Sequence, residues 1–236
     1  MFRRGGSVGD AHTSEQSPSY GLMSGSLRVT LLVGASLMGV TVAGMLLVAD
    51  TELAQIGSLL FAFPIVGVVV FGALITVGRY LGLRGIGTDG YPTAAVGVAV
   101  SVFAYSWFGG VVLTPFSRSL YLPAVAAAGA ITVAITVAAG AYVYSTDKNL
   151  EQWAKYSAVF FLMGLGAVLV GSFFEPILFV GFFLFLLGFL CDLVYEIWMT
   201  SNRNRSPVAN GLALYIAFAG VFVHVLQLVL RVLARR

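Results

Sequence analysis

The sequence predicts an all-α polytopic membrane protein, a bundle of seven transmembrane helices, and three observations carry that prediction. Hydrophobic residues make up 59% of the 236 positions and charged residues only 10%, with a mean hydropathy of +0.95. Those values lie outside the range of a soluble globular domain. The apolar residues gather into seven runs close to the ~20 residues that a helix needs to cross a ~30 Å hydrocarbon layer. The breaks between runs carry turn and cap chemistry.

Residues 1–24 (MFRRGGSVGDAHTSEQSPSYGLMS) are rich in Gly and Ser, lack apolar periodicity and read as a disordered cytoplasmic tail. Arg3 and Arg4 resemble the start of a signal peptide, but the twenty residues after them are too polar to be its apolar region. The remainder, 25–236, reads as a single seven-helix membrane domain. Its apolar segments fall at about 29–49, 55–78, 92–115, 120–144, 156–173, 177–199 and 208–230. Asp50-Thr51-Glu52 separates the first pair, and RYLGLRGIGTDGYP forms the loop between the second and third. Pro115 to Arg118 and Glu175-Pro176 read as tight turns, and Asp147-Lys148-Asn149 and Asn202 to Pro207 as the remaining loops.

Lys and Arg counts set the orientation. With the N-terminus in the cytoplasm, the inside segments hold Arg3, Arg4, Arg28, Arg79, Arg84, Lys148, Lys155, Arg203 and Arg205, against Arg118 alone in the outside loops. Seven spans place Arg231, Arg235 and Arg236 outside, so the last helix either crosses despite them or re-enters; a full crossing is favoured because the first helices weigh more. The bias suits a prokaryotic inner membrane. The small residues of the fourth segment (AVAAAGAITVAITVAAGA), with Gly164, Gly166 and Gly171 in the fifth, predict close helix packing.

Asp192 lies within the sixth segment, in GFFLFLLGFLCDLVYEIWM, and reads as an unpaired acid at membrane depth. Such a group costs ~2.5–3.5 kcal/mol at the bilayer centre on insertion scales and marks a functional position. Glu196 is four residues on and shares its face, one turn nearer the cytoplasm, where an interfacial charge beside Arg203 and Arg205 is the competing reading. His224 and Gln227 fall on roughly one face of the last helix, with His224 placed much nearer the outer surface than Asp192. A relay from His224 to the outer-loop Glu175 is a secondary expectation.

Other chemistries drop out. Cys191 is the only cysteine, so the chain cannot pair it internally. There is no metal-spaced His/Cys cluster, no phosphate-binding Gly loop with its lysine and no Ser/His/Asp arrangement. The chain is expected to be neither an enzyme nor a holder of cofactor or metal. A net charge of +3 is too small to imply nucleic acid, and the lipid bilayer is the expected partner. A seven-helix retinal protein needs a lysine in its last helix, and none is there.

The last third reads CDLVYEIWM, then a polar loop with Pro207, then LALYIAFAGVFVHVLQLVLRVL. It resembles the Bax inhibitor-1 family, as a divergent prokaryotic-type member. The likeness rests on Asp192 and on Leu212, Leu214, Tyr215, Ile216, Phe222, Leu226 and Arg231. Upstream, STDKNLEQWAKYSAVFFLMGLGAVLVGSFF is similar to the family's loop and fifth helix, so the resemblance covers roughly residues 130–236. It implies six helices around a central last helix, and a passive leak for calcium gated by a pH-sensitive pair of acids on the sixth and seventh helices. Asp192 matches the first acid, Ala217 stands where the second would be and Gly220 replaces the family's Asn. With the pair broken, altered pH gating is expected, and Glu196 is a poor substitute one turn away.

Some members of that family instead bind other membrane proteins such as quality-control proteases, which gives a second expectation. A third, from the residues themselves, is a proton-coupled small-solute permease lined by Thr132, Thr136, Ser157, Asp192 and Glu196. The ions these readings involve are Ca2+ or H+.

Overall fold

The computed structural model describes residues 25–202 and 205–235. The expected tail, 1–24, and Arg203 and Arg236 of the charge inventory lie outside the described residues. Eight α-helices follow: α1 (Gly25–Ala49), α2 (Glu52–Phe61), α3 (Pro64–Arg84), α4 (Tyr91–Leu113), α5 (Tyr121–Tyr144), α6 (Gln152–Gly171), α7 (Glu175–Asn202) and α8 (Pro207–Leu233). Seven of them are long and apolar enough to cross a membrane, and α2 is the short exception. The fold is the all-α polytopic bundle expected.

The second segment differs most from its expected bounds. Pro64 has no amide hydrogen and forces the residue before it out of the helical region, and Phe63 is accordingly extended (φ −102°, ψ 93°). The chain therefore breaks after Phe61, leaving 52–61 as the short α2, which α4 holds through the Trp107 indole N–H donating to the Leu53 carbonyl at 2.9 Å. The second span begins at Pro64 and runs through Arg84 into a single π-helical turn, Gly85–Asp89. Most of the stretch expected to be a loop is thus helix, and Arg79 moves from the inside loop into a span. The turn is closed by Gly90 at φ 88°, a backbone conformation that costs glycine little, and α4 follows with Pro92 in its first turn.

The backbones of α3 and α4 approach closely where Gly78 and Gly82 face Gly97. A Cβ on Gly97 would overlap the Gly82 backbone and lie 2.7 Å from the Gly78 carbonyl oxygen. This is the small-residue packing that membrane helices use when hydrophobic burial cannot drive association. It also occurs where Gly171 of α6 meets the start of α7, its Cβ position lying 2.6 Å from the Leu178 nitrogen. The expectation fails at Gly129, Gly140 and Gly166, which meet nothing within 4 Å. On α5 the packed residues are Ala124, Ala128 and Thr132, while Ala126, Ala130 and Ala134 are exposed.

α8 is the most enclosed of the spans, with its residues from Ala209 to Leu226 almost all buried. α1, α3, α4, α5 and α7 pack around it, while α6 packs chiefly on α7. The resemblance implied six surrounding helices; five surround it, with α6 outside. Polar ties fix its position. The hydroxyls of Thr41 and Tyr215 share a 2.6 Å hydrogen bond, the Tyr105 hydroxyl donates to the Ile216 carbonyl at 2.8 Å, and the Thr30 hydroxyl donates to the Pro207 carbonyl at 3.1 Å.

α8 is continuous over its 27 residues, about 40 Å at standard rise, so its geometry is that of a crossing rather than a re-entrant loop. At its far end the Arg231 guanidinium lies over the rings of Phe179 and Phe182, at 5.2 and 5.6 Å from their centroids. That cation–π contact and the carbonyl end of the helix both favour the charge where it stands.

Candidate functional site

Asp192 is not unpaired. Arg79, near the end of α3, reaches across to α7, and its Nη1 donates to Asp192 Oδ2 at 2.9 Å. The same guanidinium donates through Nη2 to Glu196 Oε1. Because the two acids are one helical turn apart, one planar guanidinium reaches both. The second oxygen of Glu196 accepts from Arg205 Nη1 at 2.9 Å, from the loop before α8. Two carboxylates and two guanidiniums therefore form a charge-balanced chain, Asp192–Arg79–Glu196–Arg205, joining α3, α7 and the α7–α8 loop.

Burial decides how much these pairs matter. Asp192 is 7% exposed and Glu196 1%, whereas the Arg79 and Arg205 side chains keep 28% and 25% of their surface. The acids are enclosed and the cations enter from the rim. Removing one partner from such a buried pair typically costs ~3–5 kcal/mol, since the other charge is left without compensation. Glu196 is therefore a buried member of the cluster rather than an interfacial charge, and its expected partner Arg205 does hold it. The expected obstacle to Glu196 acting with Asp192, its spacing along the helix, is removed by the arginine between them.

Ala217, where the resemblance would place a second acid, is fully buried. The group that faces Asp192 is Arg79. Arg79 was missed because the sequence around it reads as a loop. The signal that could have found it is the enclosed acid itself, which calls for a cation at matching depth on a neighbouring helix.

His224 is enclosed between aromatic rings of α7, 5.2 Å from the Phe182 centroid and 5.3 Å from that of Phe189. Its Nδ1 donates to the Gly220 carbonyl at 2.8 Å. His224 thus stands between the levels of Phe182 and Phe189, the second of which is less than one turn from Asp192. Glu175 is exposed in the first turn of α7, about 26 Å along the helix from Asp192. The structure does not bring His224 and Glu175 together as a relay.

Beside the charged chain a cleft of ≈ 930 Å³ separates α3 from α6 and α7. Its walls are mostly apolar, with Gly72 of α3, Phe161 and Leu165 of α6 and Phe189 of α7 among them, and Asp192 and His224 both reach it. Of the five residues expected to line a permease cavity, Asp192 alone is among its lining. The Thr132 and Thr136 hydroxyls instead donate to carbonyls of their own helix, at Ala128 and Thr132, both at 2.8 Å.

Comparisons with protein-family models, with curated proteins and with solved structures found no match for this chain.

Proposed function

We propose that this is a Bax inhibitor-1-like integral membrane protein, a passive cation leak whose pathway is governed by the Asp192–Arg79–Glu196 cluster, with the N-terminus in the cytoplasm. The observation that carries the reading is the position of Arg79 between two enclosed carboxylates. With the guanidinium in place the acids are neutralised and offer nothing to a cation. When α3 withdraws it, two carboxylates one turn apart form an oxygen-rich site suited to calcium. The single acid of the resemblance-based expectation is thus replaced by a pair on one helix, held by an arginine, and Ala217 needs no acid.

The test is calcium flux into liposomes containing purified wild type and Asp192→Asn. The variant leaves the cluster with a net positive charge, so flux should fall. Equal flux in the two would remove Asp192 from the mechanism.

A second reading, a non-conducting protein that binds other membrane proteins, is favoured by the exposed small residues Ala126, Ala130 and Ala134 of α5, beside which a Cβ at Gly129 or Gly140 would meet nothing within 4 Å. A stable partner recovered from native membranes, with no flux in the purified system, would decide for it.

A further inference from the structure

The cleft between α3 and the α6–α7 pair holds a hydrogen-bond acceptor that the protein leaves unused. The polar side chains along it are Thr76, Arg79, Tyr80, Arg84, Asp192 and His224. Thr76 donates to the Gly72 carbonyl, Arg79 to Asp192 and Arg84 to the Tyr80 hydroxyl. His224 differs. Its Nδ1 proton is committed to the Gly220 carbonyl at 2.8 Å, and in the neutral ring that leaves Nε2 a bare acceptor. Nε2 has no hydrogen-bond partner among the described residues, and it is not sealed from contact as the unpartnered Asn210 Oδ1 is. His224 is only 6% exposed, and the surface that remains to it lies on the cleft. The walls beside that acceptor are aromatic. Phe189 lies 5.3 Å from the imidazole centroid, with Phe161 at 4.8 Å from Phe189 and 6.2 Å from Phe185, and all three rings line the cleft. So do Val69 and Leu162, which are 51% and 69% exposed on membrane-spanning helices and open the cleft towards lipid. Its ≈ 930 Å³ is the size of a small-molecule pocket.

We propose that this cleft binds a membrane-soluble hydroxyaromatic, an uncharged phenol, whose O–H donates to His224 Nε2 while its ring packs against Phe161, Phe185 and Phe189. An acceptor set in an apolar wall is matched by one donor on an apolar body. Aromatic rings favour a ring partner, edge-to-face or offset, beyond the area they bury. The site makes no use of charge, since Asp192 is already paired with Arg79. It is distinct from the ion reading and does not depend on conduction.

The experiment is equilibrium binding of radiolabelled para-hexylphenol to the purified protein in phosphatidylcholine nanodiscs, with protein-free nanodiscs subtracted. Unlabelled para-hexylphenol and para-hexylanisole compete; the methyl ether has the same ring and tail but no proton to donate. Wild type should bind saturably and prefer the phenol about five-fold, the worth of one neutral hydrogen bond. His224→Phe keeps a ring and removes the acceptor, so the two competitors should become equal. A purely structural role for His224 would instead weaken both and leave their ratio unchanged. Gly72→Phe projects a ring into the cleft from a position where an added Cβ meets nothing within 4 Å, and should weaken phenol and ether alike. Gly129→Phe, on α5 outside the cleft and equally open, should bind as wild type does. Three results would each overturn the proposal: no saturable binding to wild type, equal competition by phenol and ether in wild type, or a preference that survives His224→Phe. Binding to Gly72→Phe as tight as to wild type would place the phenol elsewhere and overturn it too.

Discussion

Replacing Arg79 with glutamine tests the charged cluster most directly, because it removes one unit of positive charge and keeps a hydrogen-bonding side chain of similar reach. The cluster passes from neutral to a net charge of about −1, with Arg205 still on Glu196. A divalent cation ~8 Å from that added charge gains ~4 kcal/mol at an effective dielectric of ~20. The rim of the cluster is partly wet, with the Arg79 side chain 28% exposed, so about half of that survives screening. The remaining ~2 kcal/mol is worth roughly 30-fold in calcium flux, and a monovalent ion should gain only about 5-fold. The assay is entry of calcium and, separately, of sodium into dye-loaded liposomes at low ionic strength. Circular dichroism and gel filtration would confirm that the variant is folded. A folded Arg79→Gln protein whose calcium flux lies within about three-fold of wild type would refute the arginine as the element that holds the acids closed.

The other predictions concern assembly and the missing acid. Gly97→Ala drives a methyl group into the α3 backbone and should lower stability by ~1–3 kcal/mol in detergent melts, whereas Gly140→Ala, with open space around it, should leave the melt unchanged. Tyr215→Phe removes the 2.6 Å bond to Thr41 and should cost ~1 kcal/mol without altering the secondary structure seen by circular dichroism. Ala217→Asp introduces a third carboxylate at a fully buried position; flux in this variant should vary with pH between about 5 and 8 more steeply than in wild type, and parallel pH profiles would count against a role for that position.

The helices were legible because their lengths and their polar breaks are dictated by the bilayer, and a segment such as 120–144 needs no tertiary information to be recognised. The second span was misplaced by a proline whose effect is local, since Phe63-Pro64 breaks the helix inside an apolar run that shows no loss of hydropathy. Arg79 was misassigned for the complementary reason: RYLGLR is polar enough to read as a loop, yet packing of Gly78 and Gly82 on α4 carries the helix through it. Asp192 and Glu196 were legible as a shared face, because a four-residue spacing fixes that. Their common partner comes from more than a hundred residues upstream, and no periodicity reports it. The central position of α8 was expected from the resemblance and not from its own pattern, and the place of α6 outside the ring was not legible at all, since its apolar content matches that of its neighbours.

The most enclosed helix of the bundle is made after the seven others described. Until α8 arrives, the five spans that will surround it have been made without the object they enclose, and the hydroxyls of Thr41 and Tyr105 lack the partners they have in the finished bundle, Tyr215 and the Ile216 carbonyl. Synthesis of this protein therefore passes through a stage in which a nearly complete set of spans is an open ring with polar groups on its inner wall. A chain interrupted before Pro207 would leave an unfinished enclosure exposed to whatever surveys the membrane for unassembled helices, and not a smaller version of the same molecule.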